Sequence, residues 1–193
     1  PFSDFYSKFY PNYFQLKEQC TDELYLSLAE LYRICTMIRV TDTYGPIPYS
    51  QVGVNNALKS AYDSQEQVYT KMLADLDNII DVLTTYSAQN FNPSGDRIYD
   101  GNTKAWAKFA NSMKLRMAMR IVYVNENLAK QKAEEAVNSE IGVMTANSDG
   151  AYHKIVDHNP WERFMPNWKD ARISADLICY MNGYSDPRRG AYY

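Results

Sequence analysis

The chain has 193 residues, enough for one sizeable domain with a real core. Hydrophobic residues make up 46% and charged residues 22%, which argues against disorder, and 20 basic against 23 acidic side chains leave a net charge of −3. The lack of a basic tract above that background argues against a nucleic-acid or anionic-membrane footprint, and no apolar run approaches the roughly 20 residues of a membrane-spanning helix.

The first long apolar pattern, Leu16, Cys20, Leu24, Leu28, Leu31, Cys35 and Ile38, follows one face of an α-helix and predicts a helix over about 12–40. Tyr25, Tyr32 and Arg39 recur every seventh residue beside that face. The helix must stop near Asp42, because Tyr44-Gly45-Pro46-Ile47-Pro48-Tyr49 holds two prolines and a glycine. A second helix, 63–86, opens at Asp63 with Glu66 as capping-box partner; its apolar face is Val68, Met72, Leu76, Ile79, Ile80 and Leu83. Asp75, Asp77 and Asp81 read as its solvated face. Ala88 to Gly101, rich in Asn, Pro and Gly, reads as a surface loop.

A third helix, 103–124, is apolar over more than half its circumference, from Trp106, Phe109 and Met113 to Ile121, Val122 and Val124, so it should lie between neighbours. Arg116 and Arg120, one turn apart beside that apolar face, are expected to pair with acids of neighbouring helices. A fourth helix runs over 126–138 and a fifth over 174–182, stopped by Gly183. Five helices and no convincing strand alternation predict an all-α fold. Trp106-x2-Phe109-Ala110-x2-Met113 has the spacing of a tetratricopeptide repeat, so helical hairpins joined by long irregular loops are the expected architecture, in a single helical domain over 1–193.

Residues 142–171 differ in kind. They hold two of the three tryptophans and both histidines without a helical period, and a long irregular stretch in a helical domain usually carries function. Tyr152 to Asp157 alternates enough to permit one short strand. His153 and His158 would face opposite sides of such a strand, and zinc needs three or four converging ligands, so no metal site is expected. There is no phosphate-cradling glycine loop and no Gly-x-Ser-x-Gly elbow, and no carboxylate pair is singled out for work on a glycosidic bond. Neither a catalytic residue nor a cofactor is assigned. Cys20, Cys35 and Cys179 read as small buried thiols rather than a disulfide framework.

Aromatic chemistry is better represented, with 17 Tyr against 7 Phe. A tyrosine offers a flat apolar face and a hydroxyl, which suits wet interfaces and sugar-like ligands, although such rings also pack between helices. Sugar rings present C–H faces that stack on Trp and Tyr, while Asn, Asp and Arg bond the hydroxyls. Asn159-Pro160-Trp161-Glu162-Arg163, followed by Trp168 and Asp170, supplies that mixture on one loop. Trp161 is the foremost ligand-binding candidate, with Asn159, Trp168 and Tyr44 beside it; the alternative is that the two tryptophans anchor the loop to the helices. Pro160 and Pro166 limit the freedom of the chain on either side of Trp161, and the Tyr44–Tyr49 loop, stiffened by its prolines, would hold aromatic rings in place.

These residues also carry a resemblance. Val40-Thr41-Asp42-Thr43-Tyr44-Gly45-Pro46-Ile47-Pro48-Tyr49-Ser50 resembles the "D-x-Y-G-x-(I/V)-P-Y-S" segment of the SusD/RagB-like family, and Tyr62-Asp63-Ser64-Gln65-Glu66-Gln67-Val68-Tyr69 its "YDSQEEIY" helix start. The run from Trp106 to Arg120 is similar to its "W-x-K-F-A-N-S-L-K-L-R-L-A-M-R" helix, and Asp186-Pro187-Arg188 to the "D-P-R" after the fifth helix. The resemblance implies an outer-membrane, lipid-anchored protein of Bacteroidetes-type bacteria, facing the cell exterior. It would bind glycans or other nutrients and hand them to a SusC-like, TonB-dependent transporter, and its fold would be of tetratricopeptide type. Because members of the family are considerably longer, it also implies that this chain is the N-terminal part of a longer protein. A glycan-active hydrolase and a helical-repeat scaffold without a small ligand are the competing functions.

Overall fold

A computed structural model describes residues 2–53, 59–153 and 173–192. The chain divides into two compact units, Pro1–Tyr152 and His153–Tyr193. The described residues form seven α-helices: α1 (Phe2–Gln19), α2 (Glu23–Tyr44), α3 (Gln65–Thr85), α4 (Thr103–Arg120) and α5 (Glu126–Asn138) in the first unit, α6 (Ala175–Gly183) and α7 (Arg189–Tyr192) in the second. No strand occurs among them, only the isolated antiparallel bridges Ile47–Asp63 and Asn90–Asn102. Each helix of the first unit packs on the next in sequence, α1 on α2 through to α4 on α5, the local pairing of tetratricopeptide-like hairpins.

The long first helix expected over 12–40 is two helices. Cys20 closes α1 by donating its N–H to the Leu16 carbonyl, and the Asp22 carboxylate caps α2 by accepting the Leu24 N–H at 2.9 Å. The apolar spacing runs through the break, which is why periodicity alone joins the two. The first of them also starts earlier than expected. Phe2, Tyr6, Phe9, Tyr10, Tyr13 and Phe14 form a row of rings with centroids 5.1 to 5.9 Å apart. Each such pair adds about 0.5–1.5 kcal/mol beyond burial, enough in sum to hold a helix that contains Pro11.

Two smaller corrections follow. The N-cap of α3 is Ser64, with Gln67 closing the capping box, rather than Asp63 and Glu66. The third predicted helix ends at Arg120, not 124: Asn125 caps α5, and the turn between them leaves Tyr123 and Val124 exposed. The Tyr152–Asp157 strand falls mostly outside the described residues, and Tyr152 and His153 have no regular structure.

The core is the interface of α2, α3 and α4, built from Leu31, Ile34 and Met37, from Val68, Met72 and Leu76, and from Trp106, Ala110 and Met117. Of the acids read as the solvated face of α3, Asp81 is exposed, but Asp75 and Asp77 turn to neighbouring helices. Asp75 pairs with Arg33 of α2 at 3.2 Å, and Asp77 with Lys114 of α4 and Lys132 of α5, both at 2.7 Å. Glu135 completes a ring of alternating charge by meeting Lys114 at 2.7 Å and Lys132 at 2.9 Å. With helices on both sides of α3, residues off its apolar face still meet a neighbour, and buried charges are stable only when paired.

The Lys114 ammonium, with Lys132 and Gln131 acting against a small burial effect, holds the Glu135 carboxyl down to about 2, from 4.5. A depressed carboxylate stabilises the fold above its unfolded pKa, and that contribution is lost as pH falls from about 4.5 towards 2. Melting curves of wild type and Glu135→Gln between pH 6 and pH 2.5 should therefore converge as the solution is acidified. A constant gap across that range would show that the ring is electrostatically idle.

In the second unit, Ser174 caps α6 by accepting the Leu177 N–H, and Asp186 accepts from both the backbone N–H and the Nε of Arg188 at 2.9 Å. That bracket pulls the Asp186 carboxyl down to about 2, and it gives the Asp-Pro-Arg motif a local structural role. The cysteines are free. Cys35 is largely buried, which pushes its thiol up to about 12, whereas Cys179 is exposed, contrary to the expectation of three buried thiols.

Candidate functional site

The polar residues of α4 fasten the irregular segments to the helices. Asn111, fully buried, donates both amide hydrogens, to the carbonyls of Ala136 and Gly142 at 2.8 Å each. Ser112 Oγ accepts the Met144 N–H at 2.8 Å, and Lys108 meets the Asp149 carboxylate at 3.1 Å. On the other side Trp106 Nε1 donates to Asp96 at 2.7 Å, and the same carboxylate accepts the N–H groups of Ile98, Tyr99 and Gly101. Burial works against the Asp96 charge, but these four donors outweigh it and hold the carboxyl below its ordinary range. The Trp-x-Lys-x-x-Asn-Ser spacing thus serves as a set of loop anchors: i+2, i+5 and i+6 share the side of α4 that meets the 142–149 segment, while i faces the 96–101 segment.

Arg120 pairs with Asp42 of α2, as expected for that side chain. Tyr69 donates to the same carboxylate at 2.6 Å. These three and Gln65, Glu66, Val124 and Asn125 line a cavity of about 500 Å³, in which Arg120 and Asp42 are already paired with each other.

Tyr44 is the last residue of α2. Gly45 follows it at φ +79°, a conformation that favours glycine, and the helix end is locked by the Gly45 N–H on the Thr41 carbonyl and the Thr41 hydroxyl on the Gly45 carbonyl. The next residues are strapped down by Asp63, which accepts from Tyr49 N–H at 3.0 Å, Ser50 N–H at 2.7 Å and the Ser50 hydroxyl at 2.8 Å. Tyr6 adds a hydrogen bond to the Pro48 carbonyl at 2.9 Å. The loop is therefore stiff, as its prolines imply, but it does not hold both tyrosines out to solvent. Tyr49 is buried, with the Arg33 guanidinium 4.2 Å from its ring centre, while Tyr44 stays 48% exposed.

Beside Tyr44 stand two rings that sequence reasoning did not single out. Phe2 meets Tyr44 edge-on at 5.1 Å and lies parallel to Tyr62 at 6.3 Å, and Tyr62 is 63% exposed. The result is an aromatic patch with two hydroxyls at its edge, set on a clamped backbone. Its signal in the sequence was the aromatic spacing of the first fourteen residues and the position of Tyr62 directly before the strap residue Asp63. Of the other predicted site residues, Asn159, Trp161 and Trp168 lie outside the described residues. Among the described residues no group of three metal-ligating side chains converges.

The family model "Susd and RagB outer membrane lipoprotein" matches residues 1–193. A SusD homologue from Bacteroides ovatus is 68% identical, with a TM-score of 0.91 over 97% of this chain and 38% of its own. A SusD homologue from Bacteroides thetaiotaomicron is 40% identical, with a TM-score of 0.87 over 95% of this chain and 38% of its own. A chitin-binding SusD homologue from Flavobacterium johnsoniae is 38% identical, with a TM-score of 0.89 over 95% of this chain and 39% of its own. The chain spans about two-fifths of the length of these relatives. Curated protein sequences gave no significant match. Matched along its whole length and sharing the helical framework of solved members, the chain belongs to the SusD-like family of outer-membrane lipoproteins.

Proposed function

We propose that this chain is part of a non-enzymatic nutrient-binding protein that holds an oligosaccharide at the outer surface of the outer membrane. It is lipid-anchored there and passes its ligand to a SusC-like, TonB-dependent transporter. The observation that carries this reading is the likeness, at 38% identity over 95% of the chain, to a chitin-binding SusD homologue. The exposed patch of Tyr44, Phe2 and Tyr62 supports it chemically, since rings held on a rigid loop meet a sugar face at little entropic cost. No helix among the described residues is long and apolar enough to cross a membrane, which agrees with attachment through a lipid. In this reading Trp161, Trp168, Asn159 and Tyr44 are ligand-binding residues.

Calorimetric titration with chitohexaose, cellohexaose and maltohexaose, followed by chromatography of the mixtures, tests it. Binding of one of these with no shortened product is the expected result. Products that persist through repurification would favour a hydrolase, and co-purification of a transporter without binding of any glycan would favour a scaffold.

Trp161→Ala should weaken that binding about tenfold or more, the equivalent of about 1.4 kcal/mol, with little change in melting temperature. Were Trp161 a buried anchor, the same substitution would instead cost about 3–5 kcal/mol of stability. Unchanged affinity, or strong destabilisation, removes Trp161 from the site.

A further inference from the structure

The heptad-spaced tyrosines of α2 are not absorbed by the core. Tyr25 and Tyr32 remain 37% and 45% exposed, although they stand on a helix whose other face is fully buried. Seven residues of helix separate them by about 10 Å along the axis, so both look the same way. The groove they line holds about 410 Å³, with Leu16 and Phe91 as further apolar walls and Asn92 and Ser94 at the rim.

Two properties distinguish this groove from a stray apolar patch. Its floor and wall are rigid: Tyr32 rests on Trp106 at 5.5 Å, Tyr25 meets Phe91 edge-on at 5.9 Å, and Asp96 fixes both Trp106 and the segment that follows. Phe91 itself is held by its N–H on the Gly101 carbonyl at 3.0 Å, and Gly101 sits at φ +81° where any Cβ would strike the Phe91 carbonyl. Its chemistry is also mixed, with two half-exposed phenol faces beside a carboxamide and two hydroxyls at the tyrosine tips. The Asn92 side-chain oxygen already accepts the Ser94 N–H at 3.0 Å, which leaves its amide hydrogens and the Ser94 hydroxyl facing solvent; a pyranose uses both kinds of surface, its C–H face on a ring and its hydroxyls on the rim, whereas a lipid or an apolar helix uses only the rings.

We infer that the α2 groove is a second glycan subsite, in which Tyr25 and Tyr32 each stack one sugar ring of the same oligosaccharide at a spacing of about two sugar units. Its ligand class rests on the function proposed above; its location does not depend on the Tyr44 patch. A chain long enough to span both tyrosines gains from both, so a hexasaccharide should bind more tightly than a disaccharide of the same linkage, and the groove should account for the difference.

The test uses chitohexaose, cellohexaose and maltohexaose, each against its disaccharide, in calorimetric titrations of the wild type, Tyr25→Ala, Tyr32→Ala and Ser94→Trp. Ser94→Trp removes no ring and no core contact; it fills the groove from the exposed rim, so it stays informative even if an alanine variant unfolds. Each variant is expected to lower hexasaccharide affinity about tenfold while the disaccharide changes less, with the Ser94→Trp melting temperature unaltered. Hexasaccharide binding that survives Ser94→Trp at wild-type affinity overturns the groove alone and leaves the general reading intact. If the wild type binds none of the glycans, the functional reading fails and the inference falls with it.

Discussion

Asp96→Ala should lower the stability of the first helical unit by about 3–5 kcal/mol, a fall of roughly 6–20 °C in melting temperature. The carboxylate is buried and accepts four N–H groups, those of Ile98, Tyr99 and Gly101 and the indole of Trp106. Removing it strands all four donors, and an orphaned buried donor costs about 1–3 kcal/mol. Solvent can reach some of them once the loop loosens, which keeps the total below the sum. Asp96→Asn cannot rescue the site, because its amide nitrogen would face two donors with a donor of its own. Thermal melting of both variants checks this. A loss below about 1 kcal/mol in Asp96→Ala would mean that the segment from Phe91 to Gly101 is held by packing alone.

Arg33→Ala should cost a similar amount, about 3–5 kcal/mol, for a different reason. The guanidinium is buried, bonds Glu30 at 2.6 Å and Asp75 at 3.2 Å, and covers the ring of Tyr49. Burial alone would make Arg33 easier to neutralise, yet Tyr49 and Glu30 raise its affinity for the proton, so it stays charged at every accessible pH. Its loss takes the shared cation from two carboxylates, leaving Glu30 to the Tyr13 hydroxyl and the partly exposed Lys17, and Asp75 to the partly exposed Lys71. A denaturant titration should show a lower midpoint with an unchanged slope. Adding Glu30→Gln and Asp75→Asn to the alanine variant should restore part of the loss by removing the uncompensated charge. Arg33→Lys should be intermediate, since an ammonium keeps the charge but not the planar fork that serves two acids and a ring together. If the neutralising pair recovers nothing, packing against Tyr49 and not charge explains the cost.

Both predictions concern residues whose importance is invisible to hydrophobic periodicity. Arg33 and Asp96 sit in stretches that read as a polar helix position and a surface loop. Only when α2 lies against α3, and the 91–101 segment folds over Trp106, does either acquire its partners. The same holds for the acids of α3. A helical wheel marks Asp75 and Asp77 as outward-facing, and outward from α3 turns out to be inward towards Arg33, Lys114 and Lys132.

Part of the local chemistry was legible. The apolar faces of α3 and α4 and the stop at Tyr44-Gly45-Pro46 follow from side-chain periodicity and from the missing N–H of proline, both of which act within a few residues. The family, too, could be recognised from the motifs alone. Three things depended on the tertiary structure. The break at Asp22 requires α1 to fold back on α2, and an unbroken apolar spacing carries no record of that. The pairing of the charged residues depends on which helices become neighbours. The exposure of Tyr44, Tyr62, Tyr25 and Tyr32, against the burial of Tyr49, Tyr10 and Tyr13, depends on the same packing, since a tyrosine's sequence neighbours are alike in both settings. Whether such a ring meets the core or a ligand is settled by the shape of the surface around it, and that shape exists only in the assembled helices.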